Sequence, residues 1–199
     1  LVVGMRFGGT KIQPGTLDIN GDGSFDYPID NREFTSAYII LDITDPENPP
    51  VLLAELSRTL TGSEVDFGYT TSIPAVVPMK DGYTTKWYLI LGNGPNTLDG
   101  QSTQTAKVGV LPLDWVVGSG RRAFRIPDAL PSSANAEGGR FELTGASFVS
   151  DIVAVDYDLE PNYKADAVYF GTVEGSYATA WSGQLYRLVT QKKQADGNG

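Results

Sequence analysis

Short apolar runs separated by turn residues are the feature that most restricts the fold of this chain. Each run is rich in Val, Ile, Leu, Tyr or Trp and is bounded by Gly, Pro, Asn or Asp, which is typical of β-strands joined by turns. No stretch repeats its apolar residues at the 3.6-residue period of an amphipathic helix. The sequence therefore predicts an all-β fold, with strands at residues 1–7, 37–43, 51–56, 73–79, 87–91, 107–113, 148–155, 167–171 and 184–190.

Three of these runs share a further pattern, in which an apolar strand leads into a glycine turn. The turns lie at Gly8, Gly92 and Gly171, and a second strand follows each of them. Such a repeat is typical of successive antiparallel blades of a β-propeller. We therefore predict a modified β-propeller, whole or partial, with the three glycine turns on one face and long loop insertions at 10–35 and 118–140.

The predicted propeller domain covers residues 1–190, and residues 191–199 are predicted to be a disordered tail. The repeat places the start of the chain inside one blade and its end inside another. Incomplete blades expose sheet edges, so we expect the natural protein to be longer than this sequence.

Charge and composition exclude several classes of function. The net charge of −9 opposes binding to a phosphate backbone, so we expect no nucleic-acid partner. The chain has no Cys and no His, which excludes Ser-His-Asp and Cys-His catalysis and zinc sites built on those residues. No apolar run is long enough to span a bilayer, and the first residues are not a signal peptide.

One acidic loop has the spacing that wraps around Ca²⁺. Oxygen-bearing side chains occupy its positions one, three, five and nine, a glycine occupies position six, and position seven offers its backbone carbonyl. Hard oxygen ligands without nitrogen or sulfur select Ca²⁺ over transition metals. The predicted calcium ligands are Asp18, Asn20, Asp22, the Ser24 carbonyl and Asp26.

This loop departs from an EF-hand at its end and in its surroundings. Position twelve is Ile29 rather than a bidentate Glu, and prolines instead of helices flank the loop. Asp30 or Glu33 is a candidate for the missing oxygen. The alternative is a metal-free turn whose Asp and Asn side chains bind their own backbone.

Two other polar segments favour turns over ligand sites. Residues 156–162, with Asp166 beyond them, are acidic, but Pro161 stands where a calcium loop needs glycine, so we predict a solvated turn. Residues 92–96 are glycine-rich but do not lead into a helix, so a turn is favoured over a phosphate site.

Two further features have structural interpretations. Residues 42–46 are predicted to end a strand and shape a turn. Trp87, Trp115 and Trp181 are predicted to pack between blades, and only an exposed one would favour stacking on a carbohydrate.

Five segments together resemble the PilY-type proteins, which are tip-associated biogenesis factors and adhesins of bacterial type IV pili. In chain order they are AYIILDITDPENP at 37–49, LAEL at 53–56, FGYTTSIPA at 67–75, LGNGPN at 91–96 and GQLYRL at 183–188. The resemblance implies a C-terminal modified β-propeller and a calcium loop, which falls here on Asp18, Asn20, Asp22 and Asp26.

The resemblance also implies a location and partners. It implies a protein exported through the periplasm to the pilus tip or cell surface, acting in pilus assembly, retraction control and adhesion. The implied partners are minor pilins or a host or abiotic surface. We expect no catalytic activity. The alternatives are a secreted propeller enzyme of quinoprotein or glycosidase type and a calcium-stabilised structural module without a binding surface of its own.

Overall fold

The fold is given by a computed structural model that describes residues 1–6, 36–57, 67–81, 84–113, 139–157 and 164–190. Within these ranges the prediction of an all-β fold is confirmed, and every strand pair is antiparallel. None of the described residues belongs to a helix that is long and apolar enough to cross a membrane. The strands are β1 (Val2–Gly4), β2 (Ala37–Asp42), β3 (Val51–Ser57), β4 (Ala75–Asp81), β5 (Thr84–Gly92), β6 (Thr105–Pro112), β7 (Gly139–Val155), β8 (Ala167–Ser176), β9 (Thr179–Ser182) and β10 (Leu185–Val189).

The strands form two sheets. The first, in the order β1-β2-β3, is called here the first layer. The second has seven strands, in the order β10-β8-β7-β6-β5-β4 with β9 paired to β8, and it curls into a half-barrel.

The long strand β7 divides the seven-stranded sheet into two parts. Its residues up to Ala146 pair with β6, and its residues from Ser147 onward pair with β8. Gly145, just before the change of partner, has a φ of 90°, which favours glycine and lets the strand bend there. We call β4, β5, β6 and residues 139–146 the middle layer, and residues 147–155 with β8, β9 and β10 the third layer.

The centre of the middle layer is buried on both faces. On one face, Leu89, Leu91 and Leu111 pack against Tyr38 and Leu56 of the first layer and its neighbours. On the opposite face, a second cluster joins β4, β5 and β6 to the third layer, with the members Val77, Met79, Tyr88, Ile90, Ala106, Val108, Val110, Val149, Ile152, Ala165, Val168 and Phe170. Because neighbours cover both faces there, the second half of β5 and most of β6 form nearly continuous apolar runs instead of alternating ones.

The structure corrects one of the predicted glycine turns. Gly92 ends β5, but β8 continues through Gly171 to Ser176. Gly171 stays extended because it pairs with Leu185 on one side, while the Ser150 hydroxyl accepts its amide hydrogen on the other. Gly8 lies outside the described residues, so the common face of the three turns is untested.

Two predicted boundaries also differ from the structure. The loop expected at 118–140 gives way to β7 at Gly139, and the rest of that segment lies outside the described residues. The strand predicted at 148–155 therefore begins nine residues earlier, at residue 139. The short strand β9 was not predicted, because all four of its residues are exposed and they form no apolar run.

Candidate functional site

The predicted calcium ligands Asp18, Asn20, Asp22, Ser24 and Asp26 lie outside the described residues, as do Asp30 and Glu33. In the part of the chain that the structure does describe, no group of three or more His, Cys, Asp or Glu residues could hold a metal ion. The calcium loop therefore stays a prediction from sequence spacing.

The two ends of the segment that carries the calcium loop are held close together. Arg6 is the last described residue before it and Ser36 the first one after it. The Ser36 hydroxyl donates a hydrogen bond to the Arg6 carbonyl, and the Thr70 amide donates to Ser36 Oγ at 2.8 Å. Arg6 has a φ of 55°, an uncommon conformation for a residue with a side chain. The insertion thus leaves and re-enters the fold at one fixed point.

Asp166, in the second acidic stretch, is buried rather than solvated. Its carboxylate oxygen Oδ2 accepts the Tyr157 amide hydrogen at 2.9 Å, and its own amide donates to the Val155 carbonyl at 2.9 Å. The Thr190 amide donates to the Asp166 carbonyl at 3.2 Å. Asp166 therefore ties the end of β7 to the start of β8 and to the end of β10, which is a structural role.

Residues 42–48 confirm the predicted strand end and turn. Strand β2 ends at Asp42, whose Oδ1 accepts hydrogen bonds from the amide and hydroxyl of Thr44 at 2.9 and 2.6 Å. Asp45 accepts from the Asn48 side chain at 2.7 Å and from the Glu47 amide at 3.0 Å. These donors, that of Asn48 above all, lower the pKa of Asp45. Both carboxylates are engaged by their own turn.

The segments 67–75 and 91–96, far apart in sequence, meet at a tight junction. The Gly94 amide donates to the Phe67 carbonyl at 2.9 Å, and the Tyr69 amide donates to the Pro95 carbonyl at 2.8 Å. A β-carbon on Gly94 would lie 1.8 Å from the Tyr69 carbonyl oxygen, so no other residue fits without a backbone shift. The predicted turn at 92–96 is therefore a junction element.

Asn93 organises the neighbouring part of this junction. Its side chain is fully buried, Oδ1 accepts the Lys107 amide hydrogen at 2.7 Å, and Nδ2 lies 3.3 Å from the Thr105 carbonyl. The Asn93 backbone amide donates to the Lys107 carbonyl, and its carbonyl accepts from the Val149 amide at 2.8 Å. Asn93 thus joins β5, β6 and β7 by satisfied polar contacts inside the protein.

A buried polar network connects the first layer to the same junction. The Tyr38 hydroxyl donates to the Ser72 carbonyl at 3.0 Å, and Ser72 Oγ donates to the Gly92 carbonyl at 3.2 Å. Thr70 Oγ1 donates to the Ala37 carbonyl at 3.0 Å. The sequence did not predict this role for Tyr38, Ser72 and Asn93. The one available signal was a hydrogen-bonding residue within an apolar strand, for Tyr38, or close to the end of one, for Ser72 and Asn93.

The network predicts a pH effect on stability through Tyr38. Burial raises the pKa of Tyr38 from 10.0 to about 12, with a smaller raising effect from Asp151 and an opposing hydrogen bond from Ser72. Below pH 10 the hydroxyl is protonated in both states and its contribution is fully present. Between pH 10 and 12 only the unfolded chain loses the proton, so the free energy of unfolding should fall by about 1.4 kcal/mol per pH unit.

Urea unfolding between pH 8 and 11.5 measures this effect. In Tyr38→Phe, the free energy of unfolding should fall by about 2 kcal/mol less over this pH range than it does in the wild type. Tyr177→Phe changes an exposed residue and should keep the wild-type slope. Equal slopes for the wild type and Tyr38→Phe would show that Tyr38 does not control the effect.

The tryptophans do not all pack between layers as predicted. Trp87 and Trp181 are exposed, and Trp115 lies outside the described residues. Trp181 makes an edge-to-face contact with exposed Tyr177 across the β8–β9 hairpin, with ring centroids 5.9 Å apart. Gly175, with a φ of 120°, lets the Trp181 backbone approach closely. Exposed aromatic rings can stack on a carbohydrate, and the sequence analysis limited that role to an exposed Trp. Trp87 and Trp181 both meet this condition.

The described residues thus form an all-β scaffold in which the two ends of the acidic insertion lie together, and an aromatic hairpin is exposed on it. Comparison with known proteins adds no identification: the scan against family models, the search of the curated proteins and the search of the solved structures each found no match.

Proposed function

We propose that this chain is a calcium-binding β-propeller region of a type IV pilus biogenesis and tip-adhesin protein. The proposed role is to present a calcium-ordered loop to minor pilins or to a surface. The protein would act outside the cell and without catalytic activity. The resemblance of the five segments to PilY-type proteins is the origin of this proposal.

The observation that supports the proposal most is the stacking of three consecutive layers. The middle layer is covered on one face by the layer before it in the chain and on the other by the layer after it. Successive antiparallel sheets that pack face to face in chain order are the arrangement of propeller blades. The change of partner along β7 separates the seven-stranded sheet into two blade-like units.

The segments that carry the resemblance also lie together. FGYTTSIPA and LGNGPN exchange backbone hydrogen bonds at the junction, and Tyr38 of the segment AYIILDITDPENP is bonded to Ser72 within it. Three separate stretches of the chain therefore build one structural unit. Contact between them accounts physically for why residues of these types occur together in one sequence.

The fixed exit point supports the calcium mechanism. Because Arg6 and Ser36 are already held together, binding of the ion does not have to bring the ends of the insertion together. Without the ion, three carboxylates in one short loop repel one another. Calcium removes that repulsion and orders the loop, and with it the partner surface that the loop forms.

Calcium titration calorimetry tests the proposal. The wild type should bind one Ca²⁺ with a dissociation constant on the order of micromolar to millimolar, because the loop lacks the bidentate Glu of tight sites. Asp22→Ala removes a central carboxylate and should weaken binding by about tenfold or more. Asp99→Ala changes an exposed acidic turn elsewhere and serves as the matched control.

The functional readout is capture of minor pilins. Capture should require Ca²⁺, persist in Asp99→Ala and be lost in Asp22→Ala, whose circular dichroism should stay that of a folded β-protein. Equal calcium affinity in the wild type and Asp22→Ala, or no binding by either, would contradict the mechanism. Turnover of a sugar or an alcohol in an activity screen would favour the propeller enzyme instead.

A further inference from the structure

Lys107, in β6, is a charged residue inside the protein. The residue is only 8% exposed, although a lysine ordinarily keeps its ammonium group in water. Its backbone amide donates to Asn93 Oδ1 at 2.7 Å, and its carbonyl accepts the Asn93 amide hydrogen at 2.9 Å. Since Asn93 is itself fully buried, these two hydrogen bonds hold the backbone of Lys107 at the junction.

The described residues give the Lys107 ammonium group one hydrogen-bond acceptor, although it carries three donors. That acceptor is Gln104 Oε1 at 2.9 Å, which belongs to a neutral amide. Glu142 lies opposite Lys107 in the pairing of β6 and β7. The Glu142 carboxylate accepts the Thr105 hydroxyl hydrogen at 2.5 Å and lies 3.9 Å from Arg140 Nε. The carboxylate opposite Lys107 is therefore engaged by other groups.

The side chain of Gln104 carries a second donor group without an acceptor. An ammonium group only donates hydrogen bonds, so Lys107 fixes Oε1 as the end of the amide that faces it. The other end, Nε2, is buried and has no hydrogen-bond partner in the part of the chain that the structure describes. Buried donors are nearly always bonded in folded proteins. Two neighbouring groups thus offer N–H donors that the described residues do not use.

Both side chains start from backbone that is already fixed. The Gln104 carbonyl accepts the Ser147 amide hydrogen and the Ser102 hydroxyl hydrogen, each at 2.9 Å. Gln104 is thereby tied to β7 at the change of partner, just as Lys107 is tied to Asn93. A ligand that binds between the two side chains does not have to order them first, which lowers the cost of binding.

Charge selects the class of ligand that these donors would take. The single positive charge of Lys107 is matched by a single negative charge. The side chain of Glu142 is 43% exposed beside the site, and the chain carries a net charge of −9, so both oppose a dianion such as phosphate. A carboxylate is a monoanion with two acceptor oxygens, one for each donor group.

We propose that Lys107 and Gln104 form a binding site for a carboxylate group. One oxygen accepts from the Lys107 ammonium and the other from Gln104 Nε2. Small organic acids and the ends of polypeptide chains both carry this group. The site uses none of the predicted calcium ligands, so it stands or fails independently of the calcium loop.

Urea unfolding in calcium-free buffer at constant ionic strength tests the proposal with acetate as the probe. With a dissociation constant on the order of 10 mM, about 100 mM acetate should shift the unfolding equilibrium about tenfold towards the folded protein. Acetamide has nearly the same shape without the charge and should produce no shift. Equal effects of acetate and acetamide, or no effect of either, would overturn the proposal.

Gln104→Glu separates ligand binding from a purely structural role. The new carboxylate pairs with Lys107 within the chain, so the variant should stay folded and lose the response to acetate. Gln184→Glu makes the same charge change at an exposed residue and should respond as the wild type does. Lys107→Met should also lose the response. A Gln104→Glu protein that is stabilised by acetate as much as the wild type would refute the assignment.

The side-chain amide signals of Gln104 in nuclear magnetic resonance spectra report on the site directly. Assigned by their loss in Gln104→Glu, they should shift with acetate until the site is saturated, while those of Gln184 stay in place. Unchanged Gln104 signals would show that acetate acts elsewhere and would disprove the site.

A short peptide distinguishes the two sources of the carboxylate. N-acetyl-trialanine with a free terminal carboxylate should bind, and its amidated form should not. Binding of the free peptide at least tenfold tighter than acetate would assign the site to a chain end, and any weaker preference would assign it to a small organic acid. Equal binding of the amidated and free peptides would contradict recognition of a carboxylate.

Discussion

Gly94→Ala should lower the free energy of unfolding by at least about 3 kcal/mol. The added β-carbon would lie 1.8 Å from the Tyr69 carbonyl oxygen and 2.7 Å from Thr71 Oγ1. A carbonyl held by its own chain cannot rotate away as a side chain can, so one of the two segments must separate. That separation breaks the hydrogen bonds from Gly94 to Phe67 and from Tyr69 to Pro95.

Gly100→Ala is the matched control for this prediction. Gly100 has a φ of 82°, so alanine is strained there, but no atom lies within 4 Å of its added β-carbon. The cost should be about 1 kcal/mol. Chemical denaturation with equal m-values measures both changes. Similar losses in the two variants would mean that backbone strain, and not the contact at the junction, controls the response.

Leu89→Ala and Ile90→Ala should each cost about 3 kcal/mol, although the two residues are neighbours in one strand. Adjacent residues in a strand point to opposite faces, and in a sheet covered on one side only one of them would be costly to truncate. Both side chains have 0% exposure here, Leu89 against the first layer and Ile90 against the third. Each truncation leaves a cavity in a different core.

The third layer supplies the contrasting pair. Ile152 is 6% exposed and Val153 is 57% exposed, because only one face of that layer packs on a neighbour. Ile152→Ala should cost about 3 kcal/mol and Val153→Ala at most about 0.5 kcal/mol. For the pair in the middle layer, a Leu89→Ala variant with nearly unchanged stability would show that the first layer does not cover the middle one.

The strands were predictable because burial leaves a direct mark on the sequence. The second half of β5 and most of β6 stand out as apolar runs, since both of their faces are covered. The first half of β7 was missed because several of its residues, Glu142, Thr144 and Gly145 among them, face solvent. Pairing with β6 holds it in a strand, and its partly buried Phe141 and Leu143 pack against the second core cluster.

The junction was less predictable because its contacts are long-range. The glycines at 92 and 94 were predicted to form a turn, but Gly92 still belongs to β5 and the turn residues lie further on, at 98–99. Nothing in the segment specifies that Gly94 faces Tyr69. Likewise Gly171 was predicted as a turn because glycine usually marks one. The hydroxyl of Ser150 on a neighbouring strand stabilises the extended form instead. Such partners are set by tertiary packing, which a local pattern does not contain.

The candidate calcium site, in contrast to the junction, could be predicted from a local sequence pattern. Its ligands occur within nine consecutive residues, so spacing alone defines them, and Asp18, Asn20, Asp22, Ser24 and Asp26 could be named without a fold. The structure adds something that residue spacing could not predict, namely the hydrogen bond from Ser36 to Arg6 that holds the two ends of the insertion together.

Strand β7 makes the middle and third layers mechanically inseparable. Its 17 residues span roughly 56 Å and serve as an edge of two layers in succession. A force along β7 that separates the two layers loads the hydrogen bonds of a whole strand pair in shear. These hydrogen bonds must break together, because they cannot open one after another. The first layer shares no strand with its neighbours. Under a pulling force, the described part of the chain should therefore yield first at the first layer, and the layers joined by β7 should keep their shape.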